Sequence, residues 1–216
     1  MTAKLDLYLA SPVMNAAGTL GFAPNRRGAI DVSQLGAFVT NPISLAPRSP
    51  ASGRRYQPTA GGFLLHTGYP NPGLSRVVRQ QRRSWAQAGL PVIVHLLAQE
   101  PDSLHQMVLR LEGLENVMGI ELGLPPELEQ GTAQALVRAA IGELPVIARV
   151  HLEQVLAEPA LVLALLETIL QAGASAISLG APRGSLAQPD GKRFSGRLYG
   201  PAVFPLALRA VENLAA

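Results

Sequence analysis

The stretch PVIARVHLEQVLAEPALVLALLETILQAGASAISL (Pro145–Leu179) decides the fold. Pro145–Val150 is a short, almost wholly apolar run opened by a proline, and Ala174–Leu179 is a second such run. Runs without polar alternation describe strands covered on both faces, as in a parallel sheet. Between them Glu153–Ala172 repeats its apolar residues at helical spacing, and Gly173 stands where a helix C-cap is expected. Strand, helix and strand in this order form a parallel crossover unit.

Working outward, the same rhythm recurs. Strand-like runs fall at Pro12–Asn15, Gly36–Thr40, Pro91–Leu96 and Val117–Leu122, and helical stretches at Leu74–Ala88, Ser103–Leu111 and Glu127–Ile141. In Leu74–Ala88, Leu74, Val77, Val78, Trp85 and Ala88 share a stripe, with Arg76, Arg79, Arg82 and Arg83 off it. A last helix is expected from near Pro201 almost to the end. Six βα units result, in one domain over residues 1–216. A (β/α)₈ barrel needs eight units, so the reading is an α/β, TIM-barrel-like fold that is incomplete by two units. An open doubly wound sheet also accommodates six units, but no GxGxxG follows the first strand. The connection Asn41–Pro72 is unusually long and rich in Pro, Gly and Ser. In a βα barrel it falls at the mouth, where sites form.

Composition narrows the class. Of 216 residues 48% are hydrophobic and 15% charged, which excludes disorder and coiled coil. The absence of Cys excludes a disulfide framework, a Cys-ligated metal and a Cys nucleophile. No metal-ligand spacing is present, and no metal is expected. Charge is uneven: residues 1–99 carry ten Lys or Arg against two Asp or Glu, and residues 100–167 carry three against eleven. The Arg-rich helix face lacks interleaved aromatics, so nucleic acid is not an expected partner. No signal-peptide pattern opens the sequence, and the longest greasy stretch, Pro159–Leu166, is far below a membrane span, so a cytoplasmic protein is expected.

Several segments together resemble the dihydroorotate dehydrogenase family, especially its soluble class. PVMNAAGTLGF (Pro12–Phe22) is similar to its first barrel strand and flavin-contacting turn, and LGAFVTNPISLAPR (Leu35–Arg48) to its second strand. GGFLLHTGYPNPG (Gly61–Gly73), LPVIARV (Leu144–Val150), AGASAISLG (Ala172–Gly180) and SGRLYGPAVFPLALRAV (Ser195–Val211) match later segments in order. The resemblance implies a (β/α)₈ barrel with FMN at its mouth, oxidising dihydroorotate to orotate in pyrimidine synthesis. It implies flavin-side positions at Ala16, Ala17 and Gly18, at Asn41, and at Ser195 and Gly196, the last two on a turn.

The resemblance also implies departures. The family's phosphate grip follows its seventh and eighth strands, so the sequence to Ala216 is expected to lack it. A family Lys is replaced by Asn41 and another by Arg149, which keeps the charge but not the shape. The family's Cys or Ser base follows an Asn-Ile-Ser pattern after the fourth strand; here Glu121-Leu122 runs into Gly123-Leu124-Pro125-Pro126. Substrate-binding Asn residues are replaced by Leu65, His95 and Ala181-Pro182. What remains at the mouth is Asn41, His95, Glu121, Arg149, His151 and Ser178. Among these Arg149, His95 and Glu121 are the candidates for acid–base chemistry. Two functions are expected to compete. One is a non-catalytic or assembly role, as homo-oligomer or subunit of a larger complex covering the open barrel edges. The other is an FMN-dependent oxidoreductase whose phosphate site a partner completes.

Overall fold

The computed structural model describes residues 6–25, 28, 30–125 and 129–215. Six strands form one parallel sheet: β1 (Phe38–Val39), β2 (Ile43–Ser44), β5 (Val92–Leu97), β6 (Val117–Gly123), β7 (Val146–His151) and β8 (Ala176–Gly180). The order is β1-β5-β6-β7-β8, and β2 also pairs with β5. β1 and β2 are two halves of one barrel strand. Pro42, which has no N–H to give the ladder, separates them, and the register slips by a residue between Val39↔Ile93 and Ile43↔Leu96.

The first expected strand, Pro12–Asn15, is reduced to one parallel bridge, Met14↔Ala37. The Asn15 side chain does the remaining pairing. Its Oδ1 accepts from Val39 N at 2.8 Å and its Nδ2 donates to Val39 O at 2.7 Å. Gly36 lies so close to this segment that a Cβ there would sit 2.0 Å from the Ser11 carbonyl oxygen. With this segment, six barrel positions are filled in sequence order, as the βα rhythm predicts.

The helices cover the outer face: α1 (Leu74–Ala86), α2 (Pro101–Leu109), α3 (Gln130–Ala140), α4 (Leu152–Ala157), α5 (Pro159–Gln171) and α6 (Phe204–Ala215). The start of the expected Glu127–Ile141 helix lies outside the described residues. The expected helix over Glu153–Ala172 is two helices. Pro159 disfavours the helical conformation at Glu158, which takes φ −138°, ψ 66°, and the chain breaks there. In α1, Leu74, Val77 and Trp85 are buried while Arg76, Arg79, Arg82 and Arg83 are exposed. Trp85 Nε1 donates to Phe22 O at 2.7 Å, so the largest core side chain also anchors the N-terminal loop.

A second sheet is not foreseen by the βα reading. β3 (Tyr56–Thr59), β4 (Gly62–Leu65), β9 (Arg183–Ala187) and β10 (Arg193–Tyr199) form an antiparallel sheet of order β3-β4-β10-β9. The long connection is therefore not a plain loop; its hairpin joins a second hairpin inserted after β8. Pro58 is tolerated because β3 is an edge strand. Tyr56, Phe63 and Tyr199 stack across the sheet, with ring centroids 5.3 and 5.7 Å apart.

Candidate functional site

Strand periodicity places the site. Ala37, Val39, Ile93 and Ile147 form a small buried cluster with Ala17, and Ala176 packs on it. Two residues further along the same strands, facing the same way, come His95, Arg149 and Ser178. On β6 the inward positions are Gly119, whose Cβ would meet Ile93 at 3.7 Å, then Glu121 and Gly123. The barrel interior thus changes from apolar to ionisable in one layer, at the C-terminal ends of the strands.

Glu121 is the hub. Its Oε2 lies 2.5 Å from His95 Nδ1 and 3.8 Å from Arg149 Nη1, and its Oε1 accepts from Ser178 Oγ at 2.7 Å. The structure therefore brings together all three candidates, His95, Glu121 and Arg149. Burial opposes ionisation of Glu121, but the adjacent His95 and Arg149 and the Ser178 hydroxyl outweigh it and hold the carboxyl at about 2. His95 is 2% exposed. Burial pushes its imidazole below the ordinary value, against the pull of Glu121. A neutral His95 donates from Nδ1 to the carboxylate and leaves Nε2 as an acceptor beside Gly123.

His95 also fits its neighbour. A Cβ on Gly123 would lie 2.9 Å from His95 Nε2 and 3.3 Å from Leu97 Cδ2. The imidazole occupies the space that any side chain at 123 would need. The next residue, Leu124, is tied back to β7: its N–H donates to Arg149 O at 3.2 Å, and its carbonyl accepts from His151 Nε2 at 2.8 Å. His151 Nδ1 accepts from Arg197 Nη1 at 3.1 Å. Burial, then the Arg197 charge, push His151 down to about 4. His151 is a neutral bridge with both nitrogens committed.

His95, Arg149 and His151 line a cavity of about 530 Å³ with Arg48, Tyr69, Arg183 and Arg197. Arg197 escaped the sequence reading although Ser195 and Gly196 beside it were singled out. Its only signal is an arginine at an alternating position of a hairpin that the βα rhythm hides.

The expected flavin positions fall on two parts of the fold, the N-terminal turn with the second strand and the strand β10. Ala17 is buried in the barrel interior. Ala16 is exposed, and a Cβ on Gly18 would meet only Pro42 at 3.7 Å. Asn41 joins that turn to the second strand: its N–H donates to Gly21 O at 2.7 Å and its Oδ1 accepts from Gly21 N at 3.1 Å. Ser195 and Gly196 do not lie on a turn. They sit inside β10, opposite Ser185 and Gly184, and Gly196 abuts the Leu65 backbone, where a Cβ would be 2.8 Å from its carbonyl oxygen. None of the six lines the mouth cavity. No chemical step is derived through FMN.

Six barrel positions in sequence order, with polar side chains from four strands converging at their C-terminal ends, define an incomplete (β/α) barrel with a built mouth. The family model described as "Dihydroorotate dehydrogenase" matches residues 2–137. The chain belongs to the dihydroorotate dehydrogenase family. It is 30% identical to the "Dihydroorotate dehydrogenase B (NAD(+)), catalytic subunit" of Pelobacter propionicus, over 98% of this chain and 74% of that protein. The protein of the same description from Desulforudis audaxviator is also 30% identical, over 95% of this chain and 71% of that one. A crystal structure of DHODH from Eimeria tenella, in complex with ferulenol, superposes with a TM-score of 0.65 at 12% identity, over 94% of this chain and 65% of that chain, a likeness of fold. The chain spans about two thirds of that structure and about three quarters of the two relatives. Among the described residues no helix is long and apolar enough to cross a membrane.

Proposed function

We propose that this domain has lost dihydroorotate oxidation and serves as a non-catalytic binding or assembly domain. One observation carries the reading. Where the family resemblance places an Asn and then a Cys or Ser base after the fourth strand, this chain has Gly123-Leu124-Pro125. The His95 imidazole fills the space beside Gly123, and His151 holds the Leu124 carbonyl. The replacement is packed and hydrogen-bonded, so it is a coherent alternative to the base loop. Loss of several substrate-binding amides, at Leu65, His95 and Ala181, acts in the same direction, because a polar substrate then leaves its groups unpaired.

Exposed sheet edges support an assembly role. Among the described residues β8 pairs only with β7, and Val13 and Met14 of the first segment are 56% and 38% exposed. Exposed edges of this kind call for cover by a second copy or a partner. The relatives' description as a catalytic subunit supports a partner. It also supports the second reading, an FMN-dependent oxidoreductase of the family type whose flavin phosphate site a partner completes.

The test is the visible spectrum of the purified protein, with orotate production from dihydroorotate measured in the presence of FMN and a dye acceptor. The proposal predicts a colourless protein and no orotate. A yellow protein that makes orotate establishes the second reading instead.

A further inference from the structure

The helix α6 is apolar on two sides. Ala210 is fully buried, and Ala207 and Leu214 beside it pack against the main core. A second apolar stripe runs alongside the first. Phe204, Leu208 and Val211, spaced i, i+4 and i+7, are 71%, 50% and 53% exposed. A surface helix needs one such stripe, facing its own core, and a helix with two is built to be covered twice.

The charges of α6 say what covers it. Arg209 and Glu212 are its only charged residues, and helical spacing puts both on the flank of the exposed stripe that lies away from the core. Both are exposed, and neither makes an ion pair among the described residues. One charge of each sign gives no cationic face for a lipid surface. It does make the flank complementary to itself. In an antiparallel helix pair related by a two-fold axis, each flank meets the same flank of the other helix. An axis between Leu208 and Val211 sets Leu208 of each protomer against Val211 of the partner subunit. The same operation brings Arg209 of each within reach of Glu212 of the partner subunit. A parallel pairing forfeits that match.

We infer that α6 is the surface through which two copies of this chain pair, antiparallel and two-fold, with Phe204, Leu208 and Val211 packed at the centre and two Arg209–Glu212 ion pairs along one edge. The inference rests on the assembly reading above and commits it to a second copy and to a surface. The apolar patch is small, so the dimer exchanges with monomer at micromolar concentration.

The experiment is sedimentation equilibrium of the purified protein at low ionic strength, across the micromolar range. A monomer–dimer equilibrium that stops at the dimer is expected, because a two-fold contact closes on itself. Leu208→Glu is expected to leave only monomer, whereas Leu109→Glu, at an exposed leucine of α2, leaves the equilibrium unchanged. Arg209→Glu and Glu212→Arg, both at exposed positions, keep the variants folded and each set like charges against one another. Each alone is expected to weaken the dimer by about tenfold. An equimolar mixture of the two restores both opposite pairs, and so restores wild-type affinity. Monomer at every concentration, assemblies beyond the dimer, a folded Leu208→Glu protein that still dimerises, or no recovery in the mixture would overturn the inference. So would a monomer that binds lipid vesicles through α6. A colourless monomer without orotate production refutes this interface and leaves the non-catalytic reading standing, and a yellow, orotate-forming dimer does the reverse.

Discussion

Gly123→Ala tests whether His95 and position 123 are matched. Glycine at 123 has no positive φ to protect, so the cost of a methyl group there is steric. The new Cβ would lie 2.9 Å from His95 Nε2, 3.2 Å from Cε1 and 3.3 Å from Leu97 Cδ2. The imidazole cannot easily retreat. Its Nδ1 is held at 2.5 Å by Glu121, and the His95 N–H donates to Thr40 Oγ1 at 3.0 Å. β6 cannot shift either, since it is paired on both sides, with β5 and β7. Overpacking of this kind costs about 1–3 kcal/mol, or a fall in Tm of roughly 2–12 °C for a chain of this size. In a His95→Ala background the space is vacant, and the same Gly123→Ala change should cost close to nothing. The double-mutant cycle, read by thermal and urea unfolding, should give a coupling energy of about 1–3 kcal/mol. Additive effects, or a Gly123→Ala protein as stable as wild type, would refute the claim that the two residues share one space.

Acid should destabilise the protein in two stages. His151 titrates at about 4 when folded against 6.5 when unfolded, so its contribution is complete above pH 6.5 and is lost as pH falls toward 4; His151→Gln should flatten that part of the stability–pH curve. Glu121, held at about 2 against 4.5, contributes above pH 4.5 and loses that contribution as pH falls toward 2, and Glu121→Gln should remove this second stage. At neutral pH Glu121→Gln should itself cost on the order of 3 kcal/mol by urea unfolding, because His95 and Arg149 lose their shared carboxylate. Asn15→Ala should cost about 1–3 kcal/mol and speed amide exchange at Val39, because that side chain makes both hydrogen bonds between the first segment and the Val39 backbone.

The sequence reading succeeds where periodicity and burial agree. β5, β6, β7 and β8 are covered on both faces, so their apolar runs stand out, and the residues two steps beyond the interior layer follow from alternation. His95, Glu121 and Arg149 were recoverable for that reason. The antiparallel sheet was hidden because its strands are half-exposed and carry Pro58, Gly62, Gly184 and Gly196, which read as turn formers until a partner strand is known. Arg197 was lost with it, since its role arises from contacts 128 residues apart with Tyr69 and 46 apart with His151. The split between α4 and α5 was legible at Glu158-Pro159, where the residue before a proline resists the helix. Asn15 carried no pattern at all, because a side chain pairing with a strand leaves no periodic trace.

On the proposed non-catalytic reading, a mouth rebuilt around His95, His151 and Arg197 holds no flavin. Titration of the purified protein with FMN, followed by flavin fluorescence, is then expected to show no saturable quenching at micromolar FMN. Stoichiometric, saturable binding in that range would overturn the reading.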